Sequence, residues 1–432
     1  MDEKQLKIKQ KVSALALCSV TFMIVYNIAA WYASKLYYVP SFVLDFEKHI
    51  PFISWSIIPY MSSGIFFCLV FFFCKDNEQL EILTKRILFV TIVAGLCFVV
   101  FPLRFNLPKP PSNDIISNCF FQFLKMFDSP FNQSPSLHMA YAFIFWTILR
   151  NLKKWRLFLM IWLILLGIST LTTFQHHFID VITGAILAHI SFIVFPYSKN
   201  DFRYRNFHIA NYYFLCGWIV IFISVLLNQF FGNIWLILLW LAMMIILIGY
   251  HYQNNNIYFL KNRNGNIPRF KKVFYFPYLL IYKLFWKLRR NKYPIEILPS
   301  IYISSRPNIE ETKFLNIDEN SIVYDLSAEM EELNRIRNQS NYHFYPFLDI
   351  GTFDIDETRK LVNHISDDYI RLPKNGKILI HCTMGYTRST VIAILVMRKI
   401  LSLPLDEAIT KIKNINKNAV IHTYLQDFLK KF

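Results

Sequence analysis

The stretch KILIHCTMGYTRST, residues 377–390, is the most informative in the 432-residue chain. Lys377 to His381 reads as a buried strand, and Thr387 onward, TRSTVIAILVMRKIL, reads as a helix. Between them a short loop runs from Cys382 to Arg388. Such a loop, entering a helix N-terminus, turns successive backbone N–H groups inward and makes a nest for a phosphate dianion. Arg388 adds a bidentate fork to it. Gly385 permits the tight backbone this needs. The same positive field favours the thiolate, the form in which a cysteine is nucleophilic. Ser389 is placed to hydrogen-bond the departing thiolate. A merely structural cysteine at a strand end would not explain His381, Gly385, Arg388 and Ser389 at this spacing.

Upstream, the pattern stays that of an α/β domain. SIYISSRP, SIVYDLS and YHFYPFLD read as strands, and a helix is expected near 356–370. Residues 301–432 carry 17 basic and 17 acidic side chains and are neutral. Residues 251–294 carry ten Lys/Arg and no acid, and include RFKKVFYFPYLLIYKLFWKLRR. Basic residues alternating with Phe, Tyr, Trp and Leu fit a segment lying in an anionic leaflet; a plain basic stop after a last span is the blander reading.

The rest of the chain is of another kind. Overall, 54% of residues are apolar, 17% aromatic and only 17% charged, against about 25% charged in an ordinary soluble protein. This excludes a disordered chain, a single soluble domain and a nucleic-acid-binding arm. Eight apolar stretches approach the roughly 20 residues that cross a bilayer. They lie near 13–33, 55–74, 87–103, 135–149, 157–175, 178–197, 212–230 and 234–250. With the N-terminus inside, the inner segments hold 14 basic residues: Lys4, Lys7, Lys9, Lys11, Lys75, Lys85, Arg86, Arg150, Lys153, Lys154, Arg156, Lys199, Arg203 and Arg205. The outer loops hold five: Lys35, Lys48, Arg104, Lys109 and Lys125. Both termini are therefore expected in the cytoplasm. The seven cysteines include no CxxC pair; Cys18, Cys68, Cys97 and Cys216 fall in apolar runs, Cys74 at the end of one, and Cys119 in an expected polar loop. No disulfide framework is suggested.

Three polar elements collect at the expected outer ends of spans, PLRFNLPKPP, SPSLHMA and STLTTFQHHFIDV. They bring Arg104, Lys109, Ser136, His138, His176 and Asp180 to one membrane face. His176 and Asp180 are four apart, which on a helix would put them on one side. A carboxylate behind an imidazole fixes its tautomer and stabilises the imidazolium. Ionisable groups at membrane depth are costly and point to function.

These residues resemble the type-2 phosphatidic acid phosphatase superfamily. Its second motif, Pro-Ser-x-His, is matched by Pro135, Ser136, Leu137 and His138, and its third ends His-x3-Asp, matched by His176 and Asp180. The resemblance implies that His176 is the nucleophile, Asp180 its orienter and His138 the acid that protonates the leaving alcohol. Ser136, Arg104 and Lys109 would bind phosphate, with no metal or other cofactor. Two positions depart from the family. Arg104 is followed by Lys109-Pro110 where Lys-x6-Arg-Pro is usual, and Thr170 stands where an Arg is usual. Those losses are similar to the sphingomyelin and inositol-phosphorylceramide synthase branch, so water or a lipid hydroxyl is left open as acceptor.

The cysteine loop resembles that of the dual-specificity, protein tyrosine phosphatase-like branch, His-Cys-x5-Arg-Ser/Thr. That implies Cys382 as nucleophile, Arg388 as phosphate clamp and a general-acid Asp some thirty residues upstream. Asp349 is the choice, with Asp354 and Asp356 as rivals that equally suit a helix start. Thr383, Met384, Tyr386 and Thr387 bring no lysine to the loop, which favours a monophosphate over a polyphosphoinositide.

The expected architecture is thus a multi-pass α-helical membrane domain of about eight spans (1–250), a basic aromatic membrane-surface linker (251–294) and a cytoplasmic α/β cysteine-phosphatase domain (295–432). The whole resembles bacterial fusions of the two families, which implies an inner-membrane hydrolase for phosphomonoesters, lipid phosphates above all. Membrane lipids, including anionic inner-leaflet lipid, are the expected partners, and nucleic acid is not. A tethered phosphoprotein phosphatase and a lipid-sensing membrane half are the alternatives.

Overall fold

The computed structural model describes residues 7–112, 114–197, 202–339 and 341–432. Lys4 and Lys199 lie outside the described residues, as do the side chains of Arg203 and Arg205. The chain forms two compact units, Met1–Ser198 with Asn211–Ile246 and Lys199–Ala210 with Leu247–Phe432.

The first unit is helical: α1 (Ile8–Ser34), α2 (Ile57–Val70), α3 (Asn77–Val100), α4 (Ile115–Phe127), α5 (Leu137–Leu149), α6 (Arg156–Thr172) and α7 (Phe178–Val194). Helices α8 (Phe202–Phe231) and α9 (Ile237–Gln253) follow. Among the described residues, six helices are long and apolar enough to cross a membrane: Ile8–Ser34, Ser54–Phe73, Asn77–Val100, Lys153–Thr172, Asn206–Phe231 and Asn233–Gln253. Two of the eight expected spans fall short. α5 has 13 residues and α7 has 17, about 20 and 26 Å at 1.5 Å per residue against roughly 30 Å of hydrocarbon. α5 starts two residues late because Ser136 Oγ caps it by accepting the Met139 N–H, whereas α7 starts as expected at Phe178, where Asp180 accepts the His177 N–H at 2.8 Å, and ends early at Val194. Cys119 lies on the exposed side of α4, not in a loop; Asp114 starts that helix by accepting the N–H groups of Ile116 and Ser117.

Two residues counted among the inner basic charges have structural work. Lys11 Nζ donates to the Phe72 and Cys74 carbonyls at 2.9 and 3.0 Å. Arg86 is buried on α3, donates to the Phe195 carbonyl at 2.8 Å and lies over the Phe192 ring. Each cation satisfies carbonyls left over at a helix end, so Arg86 belongs to the bundle interior and not to a loop.

Beyond α9, the second unit holds α10 (Arg269–Phe274) and α11 (Phe276–Arg289). It continues through β1 (Ile295–Leu298), β2 (Ile301–Ser305), α12 (Ile309–Phe314), β3 (Ile322–Ser327), α13 (Asn334–Arg337), β4 (Tyr342–Phe347), α14 (Ile355–Ile370), β5 (Ile378–Cys382), α15 (Arg388–Leu401), α16 (Leu405–Ile415) and α17 (Thr423–Leu429). The sheet order is β1-β2-β5-β3-β4, parallel except for the β1–β2 hairpin. β5 is buried along its whole length, as a central parallel strand covered on both faces must be. One face carries the larger core, with Leu361, Val362 and Ile365 of α14 and Val391 to Met397 of α15. The other carries a smaller cluster around Leu315, Ile317, Val323, Ile336 and Leu379.

Residues 251–294 contribute to this unit's interior. Lys261 is fully buried, with Nζ 2.8 Å from Asp325 Oδ2 and 2.6 Å from the Ser327 carbonyl oxygen, and 4.7 Å from the Phe344 ring centre. Burial works against charge on Asp325, but Lys261, His381 and the Tyr342 hydroxyl outweigh it and hold the carboxyl below its usual range.

Candidate active sites

At the C-terminal ends of the parallel strands, where open α/β sheets present their loops, β5 delivers Cys382 and α15 begins at Arg388. The loop curls back so that the Gly385 N–H donates to Cys382 Sγ at 3.2 Å, with Ser389 Oγ 3.5 Å from the sulfur. Gly385 has φ +80°, and a Cβ there would sit 2.6 Å from the Ser305 nitrogen on β2. Conformation and packing thus both require glycine.

Arg388 is 3% exposed and firmly held. Nη1 donates to Glu329 Oε2 at 2.8 Å and to the Phe347 carbonyl at 2.7 Å; Nη2 donates to Thr383 Oγ1 at 3.0 Å and lies 3.4 Å from Asp349 Oδ1. Burial opposes its charge, but Glu329, Asp349 and Cys382 together keep the guanidinium more firmly protonated than a free one. Glu329 also accepts from Thr383 Oγ1 at 2.8 Å and from the Asp349 N–H at 3.0 Å. It therefore ties the loop, the arginine and the Asp349 turn together. Sequence reasoning missed it. It follows β3, which pairs with β5, and only that pairing brings it under the loop.

Of the three aspartates weighed, Asp349 alone is beside Arg388. Asp354 caps α14 by accepting the Glu357 N–H, and Asp356 pairs with Arg359 on that helix's first turn. His381 lies below the loop, 3.0 Å from Glu332 Oε2 and 3.9 Å from Asp325 Oδ1.

The first unit gathers a second set. His138 and His176 have ring centres 5.7 Å apart, and Tyr60 stacks on His138 at 4.2 Å. Both histidines line a cavity of about 410 Å³ whose other walls include Tyr26, Phe67, Leu124, Asp128, Asn132 and Tyr141. His176 is not on a helix with Asp180, as the spacing suggested. It sits in the turn ahead of α7, its N–H donating to the Thr170 carbonyl at 3.0 Å, and Nδ1 is 3.6 Å from Asp180 Oδ2. The fully buried Ser136 joins this cluster through the backbone, donating its N–H to the Asp180 carbonyl at 2.9 Å. Gly184 allows the approach, because a Cβ there would collide with the Ser136 carbonyl.

Arg104 and Lys109 are not brought to the cavity wall. Both are exposed on the 101–110 loop, Arg104 bonded to Asn106 Oδ1 at 3.2 Å and Lys109 5.1 Å from the Phe121 ring centre. Two supports went unread in the sequence. Glu47 Oε2 is 2.7 Å from His177 Nδ1, which anchors the turn that carries His176. Asp128 accepts hydrogen bonds from Tyr26 and from Tyr60, the latter at 3.2 Å, which fixes the ring lying on His138.

A relative in Methanocaldococcus jannaschii, described as the uncharacterized protein MJ0662, is 27% identical over 152 residues, 35% of this chain. The match spans 61% of that relative's length. Among solved structures, Tk-PTP in its active form is 19% identical with a TM-score of 0.29, covering 32% of this chain and 94% of that one. Human DUSP28 is 15% identical with a TM-score of 0.28, over 33% and 94%. PTPMT1 in complex with PI(5)P is 16% identical with a TM-score of 0.28, over 32% and 94%. The PAP2 superfamily profile matches residues 46–194, the segment that holds Ser136, His138, His176 and Asp180. Residues 46–194 are therefore a PAP2 superfamily domain.

Proposed function

We propose that the chain is a bifunctional membrane phosphatase that hydrolyses phosphomonoesters, lipid phosphates in particular, at two separate sites. One observation carries the reading of the second unit: a thiol at the floor of a loop whose N–H points at it, beside a buried arginine and an aspartate. The Cys382 thiolate attacks phosphorus as the ester P–O bond breaks, and Asp349 gives its proton to the leaving oxygen. Asp349 then takes a proton from water, which attacks the phosphocysteine and releases orthophosphate with the thiolate restored. Loop N–H groups and Arg388 stabilise the charge on the transferring group.

In the membrane unit, His176 forms the phosphohistidine, Asp180 stabilises the imidazolium and His138 protonates the leaving alkoxide. The loop charges support a cytoplasmic placement for both termini and the cysteine site and an opposite, outer placement for the histidine site; the bacterial inner membrane as its location rests on the resemblance to the bacterial fusions alone. A second reading for this half is headgroup transfer to a lipid hydroxyl. It is favoured by Thr170 at the usual arginine position and by a cavity walled largely by apolar side chains. Orthophosphate release from phosphatidic acid in detergent–lipid micelles, with wild type beside Cys382→Ser and His176→Ala, tests the proposal. Each substitution should remove a separate part of the release. Loss in Cys382→Ser alone would leave the membrane half as a transferase or a sensor.

A further inference from the structure

Helix α11 has two unlike faces. Tyr278, Tyr282 and Trp286, spaced by four, point into the second unit. The Tyr282 hydroxyl donates to Asp349 Oδ2 at 3.3 Å, and Trp286 Nε1 donates to the Arg306 carbonyl at 2.9 Å. Just beyond the helix, the Asn291 N–H donates to the Met384 carbonyl at 2.9 Å, and Tyr386 donates to the Arg289 carbonyl. The helix is thus tied to the nucleophile loop and to the aspartate beside Arg388. On the other side, Phe276, Leu280, Ile281, Leu284, Phe285 and Leu288 are 40–74% exposed.

What covers this apolar face follows from charge. Lys283, Lys287 and Arg289 lie on the same helix, and no acidic residue occurs anywhere in 251–294. A second copy of the chain would set like charges against each other. An anionic bilayer surface matches both the apolar strip and the basic flanks. Bilayer is also close along the chain, since α10 starts at Arg269, 16 residues after α9 ends at Gln253.

Resting on the reading of Cys382 as nucleophile and Asp349 as acid, we propose that α11 docks on anionic lipid and that this docking, through Tyr282, holds Asp349 in its proton-donating position. The bilayer is then an activator of the cysteine site as well as the place where its substrate is presented. Tyr282 is a positioning residue, and its effect should scale with how much the leaving group needs a proton.

The test uses the full chain in nanodiscs of phosphatidylcholine alone or with a quarter phosphatidylglycerol. Two water-soluble substrates are compared, p-nitrophenyl phosphate, whose leaving group departs readily, and an alkyl phosphate, whose leaving group must be protonated. Cys382→Ser serves as the background to subtract. Anionic lipid is expected to raise Cys382-dependent alkyl phosphate hydrolysis about tenfold, with little change for p-nitrophenyl phosphate. Tyr282→Phe should lower the alkyl rate selectively in anionic discs. Leu284→Glu with Leu288→Glu should abolish the lipid response and keep the p-nitrophenyl phosphate rate. A photo-reactive benzoylphenylalanine in place of Leu284 should crosslink to lipid in anionic discs. Equal alkyl rates in both discs, or no lipid adduct at position 284, would overturn the docking proposal while leaving the cysteine chemistry standing. Unchanged hydrolysis in Cys382→Ser would instead remove the reading on which it rests.

Discussion

The two candidate sites are built in opposite ways. The cysteine site is made from one loop: Cys382, Gly385, Arg388 and Ser389 lie within eight consecutive residues, and the cradle proposed for phosphate is backbone. The histidine site is made from side chains delivered by α2, α5, the turn ahead of α7 and the Asp128 loop. A loop cradle is fixed by local conformation, whereas a cavity between helices holds its groups through distant supports such as Glu47 and Asp128. The first should be brittle to a change of backbone, and the second should degrade by degrees.

The largest expected effect tests whether the sites are independent at all. Cys382→Ser should lower its share of kcat at least about ten-thousandfold and leave the His176-dependent share untouched, with the mirror result for His176→Ala. Cross-inhibition in steady-state assays would mean that the two units do not work separately. Next in size is a stability effect. Lys261→Met leaves Asp325 buried without its cation, at a cost of about 3–5 kcal/mol, read as a fall in the unfolding midpoint of the second unit in detergent. The carboxyl of Asp325 is held below its usual range. Its stabilising contribution is therefore complete above the unfolded value near pH 4 and disappears as pH falls through the lower folded value. Acid unfolding should begin at a higher pH in the variant.

How far the sequence could be read follows the same contrast. Strands β2, β3 and β5 and the helix after Cys382 were legible, because alternation and a contiguous loop encode them. Glu329 was not, since only the β3–β5 pairing brings it beneath Arg388. In the membrane half, His138, His176 and Asp180 were visible as motif residues. Tyr60, Asp128 and the Glu47–His177 pair were not, because helix packing alone makes them neighbours. Arg104 and Lys109 were drawn in by charge and proximity in sequence, yet an exposed loop carries them. The helix α4 was hidden for a similar reason: its length is short, and its apolar residues sit among polar ones.

Two smaller effects sharpen the contrast in brittleness. Gly385→Ala forces an L-residue into left-handed backbone at about 1–2 kcal/mol and adds the clash with Ser305. The Cys382-dependent rate should fall about tenfold or more, with circular dichroism unchanged. Asp128→Asn loses one charge-assisted partner of Tyr60, worth about 1.5–3 kcal/mol at most. The His176-dependent rate should fall only a few-fold, because stacking still holds the ring against His138. A larger loss there than in Gly385→Ala would reverse the comparison.

The buried Lys261 also decides where an excised second unit must begin. A fragment cut at Ile295, where the sheet starts, would lack the cation beneath Asp325 and the Trp286 side chain that meets Arg306. It would expose a core prepared for a segment no longer present, and it should express poorly or collect as aggregate. Cutting ahead of Phe259 keeps those contacts in one piece. The stand-alone body of this unit thus begins 36 residues ahead of its sheet, from Phe259 to Ile295, and its first stretch is the one most easily mistaken for a dispensable tail.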